Sequence, residues 1–232
     1  MKGNSRFINN KRIYAFKSKN DFLNYIKGKK NILVALNAEK LNTRDEYLTE
    51  IINSNIGYPD GVGAVLALRR KGLDSTKIAG AEFWLDIIER YQYDKSFYLI
   101  GSSEEVINKT ITKLKMDFPK IDIKGYRNGF LKDGDKEILL DNFETLKPDI
   151  IFVAQGSPRQ EILMNFLLKK YPALYMGLGG SFDVYSGLKK RAPKVFIKLG
   201  LEWLYRLLKE PTRFRRQINL FKFGLKILLN RV

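Results

Sequence analysis

The chain has 232 residues, 44% hydrophobic and 29% charged, which suits one sizeable α/β domain with a short appendage and excludes a disordered polymer. It has no cysteine and no histidine. Disulfides, thiolate nucleophiles and zinc–thiolate sites are therefore excluded, a general base must be Asp, Glu, Lys or Tyr, and a metal would have to be a hard cation on oxygen ligands. The net charge is +17, and residues 188–232 alone carry 13 basic against 2 acidic side chains, so the tail is expected to meet a polyanion: nucleic acid, anionic lipid or a phosphorylated ligand.

The first residues, Met1-Lys2-Gly3-Asn4-Ser5-Arg6, form no apolar h-region, and no run approaches the ~18 apolar residues of a spanning helix. A cytosolic protein is expected. A polar lead-in with a short edge strand around Ile13–Phe16 precedes a short helix over Asn20–Lys27. Ile32–Leu36 is a continuous apolar run of strand length, followed by a helix near Thr43–Asn53. Tyr58-Pro59-Asp60-Gly61 reads as a turn and Val62–Arg70 as a helix. Phe97–Ile100 is a predicted strand, and Glu104–Leu114 a helix with Ser103 as N-cap. A strand over Ile121–Lys124, a helix over Lys136–Leu146, a central strand over Ile150–Ala154, a helix over Arg159–Lys170 and a strand over Ala173–Met176 complete the series. Strands alternating with helices imply a mostly parallel sheet covered on both faces, with its ligand crevice beyond the carboxyl ends of the strands.

Three short stretches fall at such positions, and a fourth, not at the end of an apolar strand, carries two nearby carboxylates. Asp60, in Pro-Asp-Gly, reads by itself as a plain turn; it also supplies a carboxylate on the ligand side of the sheet, a natural base for a sugar hydroxyl if desolvation raises its pKa. Gln155-Gly156-Ser157-Pro158-Arg159-Gln160-Glu161 follows the most apolar strand. Ser157 is expected to cap the next helix, whose free amides, with Arg159 and Gln160, suit a phosphate or a sugar hydroxyl. Gly177-Leu178-Gly179-Gly180-Ser181-Phe182-Asp183 is a Gly-rich turn that lets backbone approach a ligand, though not the dinucleotide fingerprint; Asp183 either bonds a ribose or base edge or satisfies the loop. Asp133-Gly134-Asp135 looks like a metal-binding Asp-x-Asp, but sits between lysines and is read as an exposed turn.

In the tail, Lys194, Lys198, Glu202, Arg206 and Lys209 share one helical face, Pro211 interrupts, and a second stripe of Arg215, Asn219, Lys222, Lys226 and Asn230 opposes Phe214, Ile218, Phe221, Leu225 and Leu228. Two basic amphipathic helices are expected. Three readings stay open for them: nucleic-acid binding, a bilayer interface, and a hairpin packed on the core.

Taken in order, three motifs resemble the WecG/TagA/CpsF family, glycosyltransferase family 26, from about Ile32 to Arg216. They are Asn37-Ala38-Glu39 with Asp60-Gly61-Val62-Gly63; Gly156 to Glu161; and Gly177 to Asp183 running through Gly187, Arg191-Ala192-Pro193 and Leu201–Leu207 to Glu210-Pro211 and Arg213. The resemblance implies a Rossmann-like domain over 1–190 with a basic amphipathic helical appendage over 191–232. It implies inverting, metal-independent transfer from a UDP-sugar to an undecaprenyl-diphosphate-linked acceptor in polysaccharide or teichoic acid synthesis. The donor is a substrate, and no cofactor or metal is expected. Under this resemblance Asp60 is the base and Asn37 positions substrate. Gln160 and Arg159 hold the donor, Asp183 contacts the nucleotide, and Phe130 stacks on uracil. Gly61, Gln155, Gly156, Gly179 and Gly180 belong to the same binding set. Arg206, Arg213 and Arg216 neutralise diphosphate. The partners implied are the donor, the lipid-linked acceptor and an anionic membrane at the inner face of the cell membrane; no nucleic acid is expected, and a homo-oligomer is left open. A non-catalytic nucleotide- or RNA-binding module with a basic tail is the alternative. The chain departs from the family pattern at Ala35, often Thr; at Gly80-Ala81-Glu82, often Gly-x-Asp; and at Arg127 and Asn128, often histidines.

Overall fold

The computed structural model describes residues 4–190 and, in the C-terminal part, residues 192, 193, 196, 204, 205, 207, 223–225 and 227. The chain opens with an antiparallel hairpin, β1 (Ser5–Ile8) and β2 (Lys11–Tyr14). Asn9 and Asn10 form its two-residue turn with φ of 45° and 62°. Positive φ at both central residues matches the right-handed twist of the strands, and Asn tolerates it better than other side chains. The sequence reading anticipated only an edge strand displaced by about two residues.

The main sheet has six parallel strands in the order β4-β3-β8-β7-β5-β6. They are β3 (Ile32–Leu36), β4 (Ile56–Pro59), β5 (Ser96–Gly101), β6 (Asp122–Arg127), β7 (Ile150–Ala154) and β8 (Leu174–Gly177). The intervening helices are α1 (Lys19–Ile26), α2 (Ala38–Asn42), α3 (Glu46–Ser54), α4 (Val62–Arg70), α5 (Gly80–Tyr91), α6 (Glu104–Asp117), α7 (Asp135–Leu146), α8 (Arg159–Lys170) and α9 (Ser181–Tyr185). This is the Rossmann-like α/β architecture expected. β1, β4, α2, α5 and α9 are not expected from the sequence.

The chain divides into two compact units. The first comprises Met1–Phe22, Ala35–Ala79 and Lys190–Val232. Within it, β2 packs beside β4, and Gly57 makes this possible: a Cβ there would lie 2.6 Å from the Arg12 carbonyl oxygen and 2.5 Å from Leu36 Cδ1. Asn53 fastens the hairpin, accepting from the Arg12 amide at 2.8 Å and donating to the Asn10 carbonyl at 2.9 Å. Phe223 is buried in this unit, its ring over Gly63 of α4. Leu225, placed by the sequence reading on an apolar face, is 58% exposed.

The second unit comprises Leu23–Val34 and Gly80–Lys189. Every residue of β5 and β7 is buried, as continuous apolar runs require when both faces are covered. Successive residues of β5 serve opposite faces. Phe97 stacks on Phe152 at 5.9 Å, and Trp84 of α5 meets Phe152 edge-on at 5.7 Å. Tyr98 meets Phe143 of α7 edge-on at 5.0 Å. Truncating such a buried aromatic typically costs about 3–5 kcal/mol. Ser103 caps α6 as expected, accepting from the Val106 amide at 3.4 Å.

Candidate active site

The carboxyl ends of the parallel strands carry the polar loops in both units. In the first unit, Asn37 directly follows β3. Its Oδ1 accepts the Lys40 amide at 2.9 Å and so caps α2. Asp60 directly follows β4, and its amide donates to the Leu36 carbonyl at 3.0 Å. Gly61 then turns the chain into α4 with φ of 136°, and a Cβ on it would stand 3.9 Å from Asn37 Cβ. Asn37, Asp60 and Gly61 are thus neighbours at the ends of two adjacent strands.

In the second unit a cavity of about 330 Å³ opens beyond β5, β6, β7 and β8. Its place follows from topology. From β5 the chain crosses to β6 on one side, whereas from β7 it crosses to β8 on the other, so the loops after β5 and β7 diverge and leave a crevice. Ser102, Gly129, Phe130, Gln155, Arg159 and Asp183 contribute the polar and aromatic lining, with Ala154, Gly156, Gly179 and Gly180 between them. Gly156 and Gly179 have φ of 78° and 57°, which a side chain would strain. Phe130 is 73% exposed. Arg159 is exposed at the first turn of α8, whose positive dipole end favours an anion.

Several of these side chains also hold the walls together. Gln155 donates Nε2 to the Gly129 carbonyl at 2.7 Å. Asp183 accepts from the Ser102 hydroxyl at 3.2 Å and pairs with Lys189 at 3.1 Å. Gln160 is only 4% exposed. Its Oε1 accepts the Gly179 amide at 2.8 Å and the Gly156 amide at 3.2 Å, and its Nε2 donates to Glu161 Oε1 at 3.1 Å. Gln160 therefore clamps the two Gly-rich loops to each other from behind the cavity.

Two expectations are corrected. Ser157 does not cap α8: the cap position is Pro158, after a cis Ser157–Pro158 bond, with no side-chain cap, and the Gln160 amide donates to the Gly156 carbonyl at 2.9 Å. Asp135 is not in an exposed turn. It is the first residue of α7, is buried, accepts the Lys132 amide and pairs with Arg127. Asp133 is exposed, as expected.

The structure brings Phe130, Gln155, Gly156, Arg159, Gly179, Gly180 and Asp183 around one cavity and places Gln160 beneath it. Arg206, Arg213 and Arg216 lie outside the described residues, as does most of the expected pair of tail helices. Ser102 and Gly129 were missed. The signal for Ser102 was local, since Gly101-Ser102-Ser103 directly follows the apolar run of β5. Among the described residues no helix is long and apolar enough to cross a membrane. Compared with known families, residues 11–232 match a model described as the glycosyl transferase WecG/TagA/CpsF family, a wider span than the motifs quoted above.

Proposed function

The chain belongs to the WecG/TagA/CpsF family of glycosyl transferases, and from that premise we propose that it moves a sugar, of the N-acetylmannosamine or glucose type, from a UDP-sugar onto an undecaprenyl-diphosphate-linked acceptor in cell-surface polysaccharide or teichoic acid synthesis. The observation that carries the donor half is the cavity at the switch point of the sheet. Glycines leave room for a diphosphate against the backbone, Arg159 offers a cation at the first turn of α8, and Phe130 offers an aromatic face to a base.

The acceptor half rests on Asp60. In a chain without histidine, a carboxylate closing a strand-to-helix turn is the fitting base. The acceptor hydroxyl oxygen forms a bond to the anomeric carbon as that carbon's bond to the β-phosphate oxygen breaks, and the configuration inverts. The hydroxyl proton passes to Asp60, and UDP departs as an anion. Arg159 offsets the developing charge, joined in this proposal by Arg206, Arg213 and Arg216. No metal takes part. The basic tail holds the enzyme peripherally at the inner face of the membrane, where the acceptor lies.

Asp60→Asn separates the two halves. Turnover is expected to fall by roughly 10²–10⁴-fold, while the UDP dissociation constant measured by calorimetry stays within twofold of the parent. Turnover near the parent level would remove Asp60 from the role. Liposome flotation tests the tail: the full chain should float with anionic vesicles and a chain ending at Lys190 should not.

A further inference from the structure

The segment joining β6 to α7 is fastened at several points along the cavity wall. Its ends are joined by an ion pair between Arg127, the last residue of β6, and Asp135, the first of α7. Asp135 Oδ2 also accepts the Lys132 amide at 2.5 Å, and the Asp135 amide donates to the Lys132 carbonyl at 3.2 Å. The Lys132 amide, with the Arg127 guanidinium, holds the Asp135 carboxyl below the usual carboxylate range. Midway, the Gly129 amide donates to the Ser102 carbonyl at 2.8 Å, and the Gly129 carbonyl accepts from Gln155 at 2.7 Å. Asn128 donates to Glu104 at 2.7 Å and accepts the Phe130 amide at 3.0 Å.

At the centre of these ties is an aromatic ring that contributes little to the core, since Phe130 is 73% exposed. An acid at the start of α7 would help that helix wherever its side chain pointed. Dipole stabilisation alone does not call for a partly buried partner on β6, nor for the separate ties at residues 128 and 129. A ring held in place before ligand arrives loses less freedom on binding.

We infer that Arg127 and Asp135 are positioning residues whose ion pair holds Phe130 at the cavity in the pose that stacks on the donor nucleobase. The inference rests on the cavity's reading as the nucleotide site. UDP is titrated into the parent protein, Phe130→Ala, Asp135→Asn and the double variant, with thermal melts in parallel. Phe130→Ala should raise the UDP dissociation constant at least about fivefold, the scale of base–aromatic stacking. Asp135→Asn keeps an acceptor for the Lys132 amide and should raise it about threefold or more. The double variant should bind no more weakly than Phe130→Ala alone, because the pair acts through that ring. Loss of stability by itself would not produce that non-additivity. Losses that multiply in the double variant, or an Asp135→Asn protein that binds UDP like the parent, would overturn the inference and leave the cavity reading intact. An unchanged constant in Phe130→Ala would overturn both. Arg127→Gln runs the same cycle from the other side of the pair should Asp135→Asn not fold.

Discussion

Replacing Gln160 by Met keeps the length of the side chain and removes only its polar end. Three hydrogen bonds go: two accepted from the amides of Gly179 and Gly156, and one donated to Glu161. Each bond contributes about 1–1.5 kcal/mol net, so the gross loss is about 3–4 kcal/mol. Gly156 and Gly179 are half-exposed, so water recovers part of their share, whereas Glu161 is fully buried and recovers little. A net loss of about 2–3 kcal/mol remains. For a chain of this size it lowers Tm by roughly 5–10 °C. The assay is a thermal melt alongside UDP titration. Stability should fall together with UDP affinity, because the two loops lose their common tie. A variant whose melting point moves less than about 1 °C while UDP binding collapses would refute the clamp. It would instead favour direct contact between Gln160 and the donor, the role implied by family resemblance.

Two further outcomes follow from the core of the second unit. Gly101 has φ of 146°, and a Cβ there would lie 2.7 Å from both the carbonyl carbon and Cβ of Ala154, so Gly101→Ala combines backbone strain with collision. It should cost about 3–5 kcal/mol, read as a lower denaturation midpoint at unchanged m; a loss under about 1 kcal/mol would show that β5 and β7 are free to separate. At Asp149, burial raises the carboxyl pKa, but hydrogen bonds from the Ser96 amide, Lys95 and the Ser96 hydroxyl outweigh it, and the native value lies below the ordinary one. A depressed native pKa gives stability that is fully present above the unfolded value near 3.9 and is lost as pH falls through the native value. Asp149→Asn should therefore be less stable at pH 7 and lose less stability than the parent on going to pH 3. Parallel acid limbs in equilibrium unfolding would contradict this.

The elements legible in the sequence were those specified locally. Ile32–Leu36 and Ile150–Ala154 are apolar throughout and form strands over those same residues. The loops after β7 and β8 stood out because glycine follows buried strand, and both line the cavity. Residues 80–91 also carry a local signal, with Phe83, Trp84, Ile87, Ile88 and Tyr91 at helical spacing, yet α5 is absent from the elements expected above. β4 was hidden for a different reason. Gly57 and Pro59 argue for a turn, and they are tolerated in a strand only because β4 lies at the sheet edge with the hairpin against it. Asp135 and Gln160 were misread or half-read for the same kind of reason. Their environments depend on Arg127 and on two loops that meet only when β7 and β8 pair.

Every open sheet has two margins at which a foreign strand could join it, and newly made α/β chains are most vulnerable there. At the β4 margin the Asn9–Asn10 hairpin acts as a guard: β2 packs so close to Gly57 that no side chain fits between them, and Asn53 ties the hairpin down. The β6 margin is protected by charge instead, with Asp122 and Lys124 paired on its partly exposed surface. Resistance to self-association is therefore delegated to the hairpin of residues 5–14 at one margin and to a few charged side chains at the other. Loss of the hairpin would be felt first as aggregation during synthesis, before any effect on transfer chemistry.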